Sequence, residues 1–318
     1  MRWDTVIIDA IGTNDEEEID MKKLTKALKL ADSDWLDENK VLLKACMNNN
    51  FEVAHILLTV EGIDVNQSDE DGWTPLYCAC WKSNVELVRE LLRATNIQVN
   101  QAANDGTSPL FVACMLRHLS VVDLLLQVEG IQVNELDTVE DITALTAACM
   151  NDWLAIVHAL LQHKEIDVNR ALSTGATALS VACQHGHLRI VNALLNFDPR
   201  DDVKYDAESL RQRQTVDINK GPGKLTPLDV AIGNKHWDIV VRLEDIPSVK
   251  KPSYKRVEGY IRARDKANYL QMMRKKIADQ HRTKPGGGDL ATILRIQGHL
   301  LPQPMESSGT YMQFVKKE

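Results

Sequence analysis

A cysteine that returns at an almost constant interval constrains this chain more than any other feature. Cys46, Cys80, Cys114, Cys149 and Cys183 lie 34, 34, 35 and 34 positions apart, and only Cys78 falls off the period. Disulfide frameworks and zinc sites do not place one thiol per long fixed interval, whereas a structural repeat does. Each unit then holds the same small apolar side chain at the same place in its core.

Other positions keep the same phase. An asparagine closes a short extended stretch in Ile63-Asp64-Val65-Asn66, Ile97-Gln98-Val99-Asn100, Ile131-Gln132-Val133-Asn134, Ile166-Asp167-Val168-Asn169 and Val216-Asp217-Ile218-Asn219. Next come Thr74-Pro75-Leu76, Ser108-Pro109-Leu110, Thr143-Ala144-Leu145, Thr177-Ala178-Leu179 and Thr226-Pro227-Leu228. Serine or threonine accepts a hydrogen bond from an orphan amide at a helix start, and proline suits the first helical position, where its missing N–H costs nothing. The Leu and Ala-Cys positions follow at helical spacing and form a buried face. A break such as Asn84 or Gly186-His187 precedes a second helix, whose inner face includes Ile190, Val191, Leu194 and Leu195 in the fourth unit.

A unit of about 33 residues made of a turn and two helices and bearing T-P-L resembles the ankyrin repeat. The resemblance covers about residues 35–246. It implies an all-α solenoid of helix-turn-helix units with β-turn fingers. Five units begin near residues 63, 97, 131, 166 and 216 and occupy 63–246. A degenerate unit at 35–62 precedes them, with Ala45-Cys46 and Ile56-Leu57-Leu58 in phase and no T-P-L. Sixteen extra residues between Leu195 and Asn219 place an insertion at about 197–214, expected to be a loop or short helix. The family usually carries histidine after T-P-L, tying neighbouring turns together. Tyr77, Phe111, Thr146, Ser180 and Asp229 stand there instead, which puts that network in question and suggests a less rigid array. Asp141 replaces the turn glycine in the third repeat.

The flanks differ in charge. Residues 1–34 contain acids at 16–18 and lysines later, a polarity that suits a helix dipole. A helix capping the first repeat is expected there, with a partner-binding helix as the alternative. Residues 1–247 carry 22 Lys and Arg against 39 Asp and Glu, whereas 248–284 carry 12 against 3. The stretch 247–284 reads as a basic amphipathic helix, with Val257, Tyr260, Ile261, Tyr269, Leu270, Met273 and Ile277 near helical spacing. It could dock on the last repeat, fold back over the acidic array, or bind a calmodulin-like groove, nucleic acid or an anionic membrane. Gly286-Gly287-Gly288 opens a flexible tail over 285–318, with one short helix near Leu290–Ile296.

No phosphate loop, dinucleotide fingerprint or nucleophile elbow is present in the sequence. Cys78-x-Cys80 and His185-x-His187 offer too few converging ligands for a metal, so no metal or cofactor is expected. An enzyme is not expected. The expected function is that of a scaffold or adaptor that binds another protein, with nucleic-acid or anionic-membrane binding through 250–284 as the alternative. A monomer is expected, in the cytoplasm or the nucleus, because no secretory signal or long apolar run stands out.

The resemblance places contacts on the finger tips and on the exposed face of each first helix. Those positions are Glu70, Asp71, Trp73, Trp81 and Lys82 in repeat one, and Asn104, Asp105, Thr107, Met115 and Leu116 in repeat two. They continue with Val139, Ile142, Met150 and Asn151 in repeat three, and with Thr174, Ala176, Gln184 and His185 in repeat four. Trp73, Trp81, Met115, Leu116, Ile142 and Met150 are expected to form an exposed apolar patch, which with its acidic flank favours a partner with a basic rim.

Overall fold

In the five repeats from residue 63 onward, each first helix begins where a hydroxyl can hold its free amides, whereas the helix Val41–Met47 starts after Lys40 with no side-chain cap. Thr74, Ser108, Thr143, Thr177 and Thr226 accept from the backbone N–H three residues on, at 3.1–3.4 Å. Pro75, Pro109 and Pro227 follow directly. The computed structural model describes residues 4, 6, 7, 21–31, 33–137, 141–195 and 215–250. The expected insertion, the basic segment beyond Lys250, the tail and most of the first 20 residues lie outside them.

The described residues form helix pairs: α3 (Val41–Met47) with α4 (Phe51–Leu57), α5 (Pro75–Trp81) with α6 (Val85–Leu91), and α7 (Pro109–Met115) with α8 (Leu119–Leu125). Then come α9 (Ala144–Met150) with α10 (Leu154–Gln162), α11 (Ala178–His185) with α12 (Leu188–Leu195), and α13 (Pro227–Gly233) with α14 (Trp237–Glu244). First helices stack on first helices and second on second along the chain. Ahead of them α1 (Met21–Leu30) lies against α4 with Leu24, Ala27 and Leu28 buried, and α2 (Ser33–Glu38) packs on α3. Between the helix pairs run finger turns with one isolated bridge, Leu136 to Thr143, and no strand among the described residues. The architecture is an all-α solenoid. Among the described residues no helix is long and apolar enough to cross a membrane.

One apolar core runs the length of the stack, with Cys46, Cys80, Cys114, Cys149 and Cys183 fully buried in it. The periodic asparagines bind one repeat to the next. Asn66 donates to the Asn96 carbonyl at 2.7 Å and accepts from Gln98 N–H at 2.8 Å. Asn100 does the same with Gly130 and Gln132 at 2.8 and 2.9 Å, and Asn134 with Glu165 and Asp167 at 2.7 and 2.7 Å. Asn169 reaches Thr215 and Asp217, and Asn219 reaches Ser248 and Lys250. These bonds supply an inter-repeat network that the residues after T-P-L do not. Thr146, Ser180 and Asp229 instead bond within their own caps.

The turn between paired helices is left-handed at Asn49, Ser83, Arg117, Asp152, Gly186 and Lys235. Only Gly186 is free of the Cβ penalty, and a Cβ there would meet the His236 ring at 2.5 Å. Asp141 tolerates the left-handed finger position with φ 55°, and its carboxylate accepts from Ser173 N–H of the next finger at 2.8 Å. Those Ser173 bonds hold the Asp141 pKa below its usual value, so the contribution of this clip is present above that value and is lost as pH falls through the lowered one.

Asn100→Asp keeps the acceptor and removes the donor, facing a carboxylate oxygen to the Gly130 carbonyl. It is expected to cost about 1–2 kcal/mol, read as a lower urea midpoint. Gly186→Ala should cost about 2 kcal/mol or more by adding both left-handed strain and the His236 clash. Arg117→Gly should instead be neutral or stabilising by a few tenths of a kcal/mol, roughly the strain relieved minus the added chain entropy.

Candidate functional site

One position recurs at or next to the end of the first helices from α3 to α11. Met47, Trp81, Met115, Met150 and Gln184 share this phase. Their backbone carbonyls sit at a helix end, where four carbonyls have no intrahelical partner. The following repeat supplies some of these partners. His118 Nε2 donates to the Trp81 carbonyl at 3.1 Å, His187 Nε2 to the Met150 carbonyl at 3.1 Å and His236 Nε2 to the Gln184 carbonyl at 3.0 Å. In each case a carbonyl can only accept, so the ring nitrogen carries the proton. At Trp81, Met150 and Gln184 the side chain therefore projects from backbone that the following repeat holds in place.

Between α3 and α5 this phase opens a hollow lined by Met47, Trp73, Cys78, Trp81 and Lys82. Trp73 contacts Trp81 edge-on with centroids 4.3 Å apart, and Tyr77 lies 5.4 Å from Trp73 and 6.3 Å from Trp81. The side chain of Asp69 turns back to accept from Trp73 N–H and Asp71 N–H at 2.8 and 3.0 Å, which fixes the finger over the helix. Asn104 carries the finger line onward, donating from its backbone to the Asp71 carbonyl and from its side chain to the Glu70 carbonyl.

The lining is apolar apart from Lys82, and the carboxylates of Asp69 and Asp105 act on the groups beside it. Burial, the carboxylate of Asp105 and the neighbouring Cys78 push the Tyr77 hydroxyl up to about 12. Burial and Asp69 push the Cys78 thiol up to about 12, opposed by Lys82. The thiols of Cys46, Cys80, Cys114, Cys149 and Cys183 are also raised by burial, so these sulfurs are protonated packing groups and poor nucleophiles. Among the described residues no group of three or more His, Cys, Asp or Glu converges to hold a metal. His185 stacks on His187 at 5.9 Å, and its pKa is lowered by burial, His187 and His236.

The site residues read from the sequence separate into two sets. Glu70, Asp71, Trp81, Lys82, Asp105, Leu116, Gln184 and His185 are exposed, with Trp81 at 39% and Leu116 at 42%. Asn104, Asn151 and Thr174 are exposed as well. Trp73, Thr107, Met115 and Met150 are half-buried, and Trp73 and Met115 pack on the core. Ile142 and Ala176 are buried at 4% and 8% and do not belong to an exposed patch. They stand immediately before the cap Thr143 or Thr177. Trp73 occupies the same phase and lines the hollow beside Cys78. Val139 lies outside the described residues. Met47 was missed because its repeat lacks T-P-L, although its distance of 34 residues from Trp81 marks it. Leu119, exposed at 37%, was also missed; it opens a second helix, which the family pattern does not use for contact.

The ankyrin-repeat family model, which describes three copies of the repeat, matches residues 19–103, 42–137 and 110–207. The chain belongs to the ankyrin-repeat family. Among solved structures, the ankyrin repeat domain of Bcl-3, described as a unique member of the IkappaB protein family, aligns with a TM-score of 0.57 at 22% identity. That alignment covers 74% of this chain and 97% of the Bcl-3 domain, a likeness of fold. A comparison with curated protein sequences gives no significant match. Ankyrin repeats generally mediate protein–protein interactions.

Cys78 reports on the hollow because Trp81 stands beside it. In the folded protein an alkylating reagent should label Cys78 slowly at pH 8, and Trp81→Ala should speed that labelling while Cys80 stays protected. Mass spectrometry of the labelled peptides checks this, and an equal rise at both thiols would indicate general loosening.

Proposed function

We propose that this chain is a monomeric scaffold or adaptor that binds another protein along the line of Trp81 and Leu116, beneath the acidic finger tips Glu70, Asp71 and Asp105. The observation that carries the reading is the hollow of Met47, Trp73, Cys78, Trp81 and Lys82, an apolar recess with an exposed tryptophan at its edge. Tryptophan is among the residues most enriched at interface hot spots, which sit in pockets that binding desolvates. The partner that suits it presents an apolar side chain with basic neighbours, since the tips that flank it are carboxylates. Lys82 and Met115 extend the contact, and Gln184 and His185 give it a polar far end. The fold is typically that of a non-enzymatic interaction scaffold.

A second reading rests on the charge of residues 248–284, with 12 Lys and Arg against 3 Asp and Glu. That segment would bind nucleic acid or anionic membrane through its phosphates, and binding would fall steeply with salt.

The test is affinity capture and calorimetry with the full chain and with Trp81→Ala/Leu116→Ala. The double variant should keep its unfolding midpoint and lose roughly tenfold or more in affinity for the captured protein, the scale of one interface hot spot. Retained affinity would remove the surface from consideration. Capture of nucleic acid or anionic vesicles that is lost at high salt would favour the second reading.

A further inference from the structure

The negative charge of the array is concentrated. Residues 61–141 hold 14 Asp and Glu against 4 Lys and Arg, while residues 142–250 hold 13 against 12. The last repeats are nearly balanced, and the excess lies on the first repeats and their fingers, where Glu70 and Asp71 are exposed in the finger that leads into Trp73 and Asp105 is exposed in the next finger. The same chain carries the complementary charge in residues 250–284, interleaved with Tyr260, Tyr269, Leu270 and Met273.

The point of departure of that segment is fixed. Val249 is buried, and Lys250 N–H donates to Asn219 Oδ1 at 2.7 Å, the final bridge of the asparagine series. From α13 back to α5 is four repeat steps, roughly 40 Å at about 10 Å per packed helix. Residues 252–284 would span about 50 Å as a helix and more if extended. The segment is long enough to return from the last repeat to the first.

Resting on the binding-surface reading above, we propose that the occupant of the apolar hollow in the isolated protein is this chain's own segment 250–284, so that an external partner must displace it. An apolar side chain of the segment fills the recess beside Trp81, and its lysines and arginines face Glu70, Asp71 and Asp105. Docking on the last repeat would place the same cations against a surface with little net charge. The attraction between exposed charges fades beyond a Debye length of about 8 Å at physiological salt, so the contact has to be close to persist. Closure over the recess makes partner affinity lower in the intact chain than the surface alone would give, by the fraction of time the segment is away.

The test uses the full chain at low concentration, as an equal mixture of unlabelled and 15N-labelled protein. A carbodiimide joins carboxylates to lysine amines in contact, and the linked peptides are read by mass spectrometry. The expected links join Glu70, Asp71 or Asp105 to Lys255, Lys266, Lys275 or Lys276 within single isotopic chains. Trp81→Ala should lower their yield roughly tenfold, the effect of losing one anchor. Links that are mainly of mixed isotope, links only to Asp238, Glu244 or Asp245, no links to the segment, or a yield that ignores Trp81→Ala would each overturn the proposal. If the links fail while Trp81→Ala/Leu116→Ala still loses the captured protein, the binding-surface reading stands without self-occupation. If that double variant also keeps its capture, both fall.

Discussion

The stack depends on a carboxamide that gives and takes a hydrogen bond at once. Burial of the Leu and Ala-Cys faces supplies most of the driving force for stacking, but apolar burial has no direction and does not set the register of one repeat on the next. The asparagine bridge does. The neighbouring loop presents a carbonyl and, two residues later, an N–H, as at Asn96 and Gln98, and only a short side chain with a donor and an acceptor on one carbon meets both. Aspartate could not donate, and glutamine would be one carbon too long. With register set in this way, His118, His187 and His236 reach the carbonyls of the preceding repeat, and the residues that own those carbonyls project at fixed spacing.

The chain varies chemistry on that fixed frame. Met47, Trp81, Met115, Met150 and Gln184 occupy equivalent backbone positions, and the stripe they form passes from sulfur and aromatic side chains to a polar amide. Rigid placement lowers the ordering cost of binding, which is what lets a modest recess contribute to affinity. The finger of repeat one adds a second layer, because Asp69 spends its carboxylate on the backbone of Asp71 and Trp73. Glu70 and Asp71 are thereby left at the surface with their charges facing outward.

The fold was legible because the thiol, the hydroxyl cap, the Ala-Cys step and the asparagine are residue-type signals held in phase. The bridge made by the asparagine was not legible, since its partners are backbone groups that any residue can supply. The candidate surface was legible in part. Finger tips such as Glu70 and Asp105 and helix ends such as Trp81 and Leu116 lie where the resemblance put them. Ile142 and Ala176 do not, because exposure at the residue before a cap depends on neighbours that periodicity does not name. The network expected from histidine after T-P-L moved to other residues, so reading one position for rigidity missed the compensation at Asn66 and His118. The net charge of residues 1–247 likewise does not reveal that the acidic excess belongs mainly to the early repeats.

The bridge from Asn169 lands on Thr215 and Asp217, 46 and 48 residues away in sequence, while the bridge from Asn100 spans 30 and 32. Distance along the chain is therefore uncoupled from distance along the solenoid at this junction. Closing the longer loop adds only about a few tenths of a kcal/mol, because closure entropy grows with the logarithm of length. The junction acts as a socket: with this longer stretch after Leu195, the asparagine bridge still forms on the far side as it does between the other repeats. A change in the length of this stretch would cost the array little in closure entropy, so this is a junction where spacing along the chain can vary while spacing along the solenoid stays fixed.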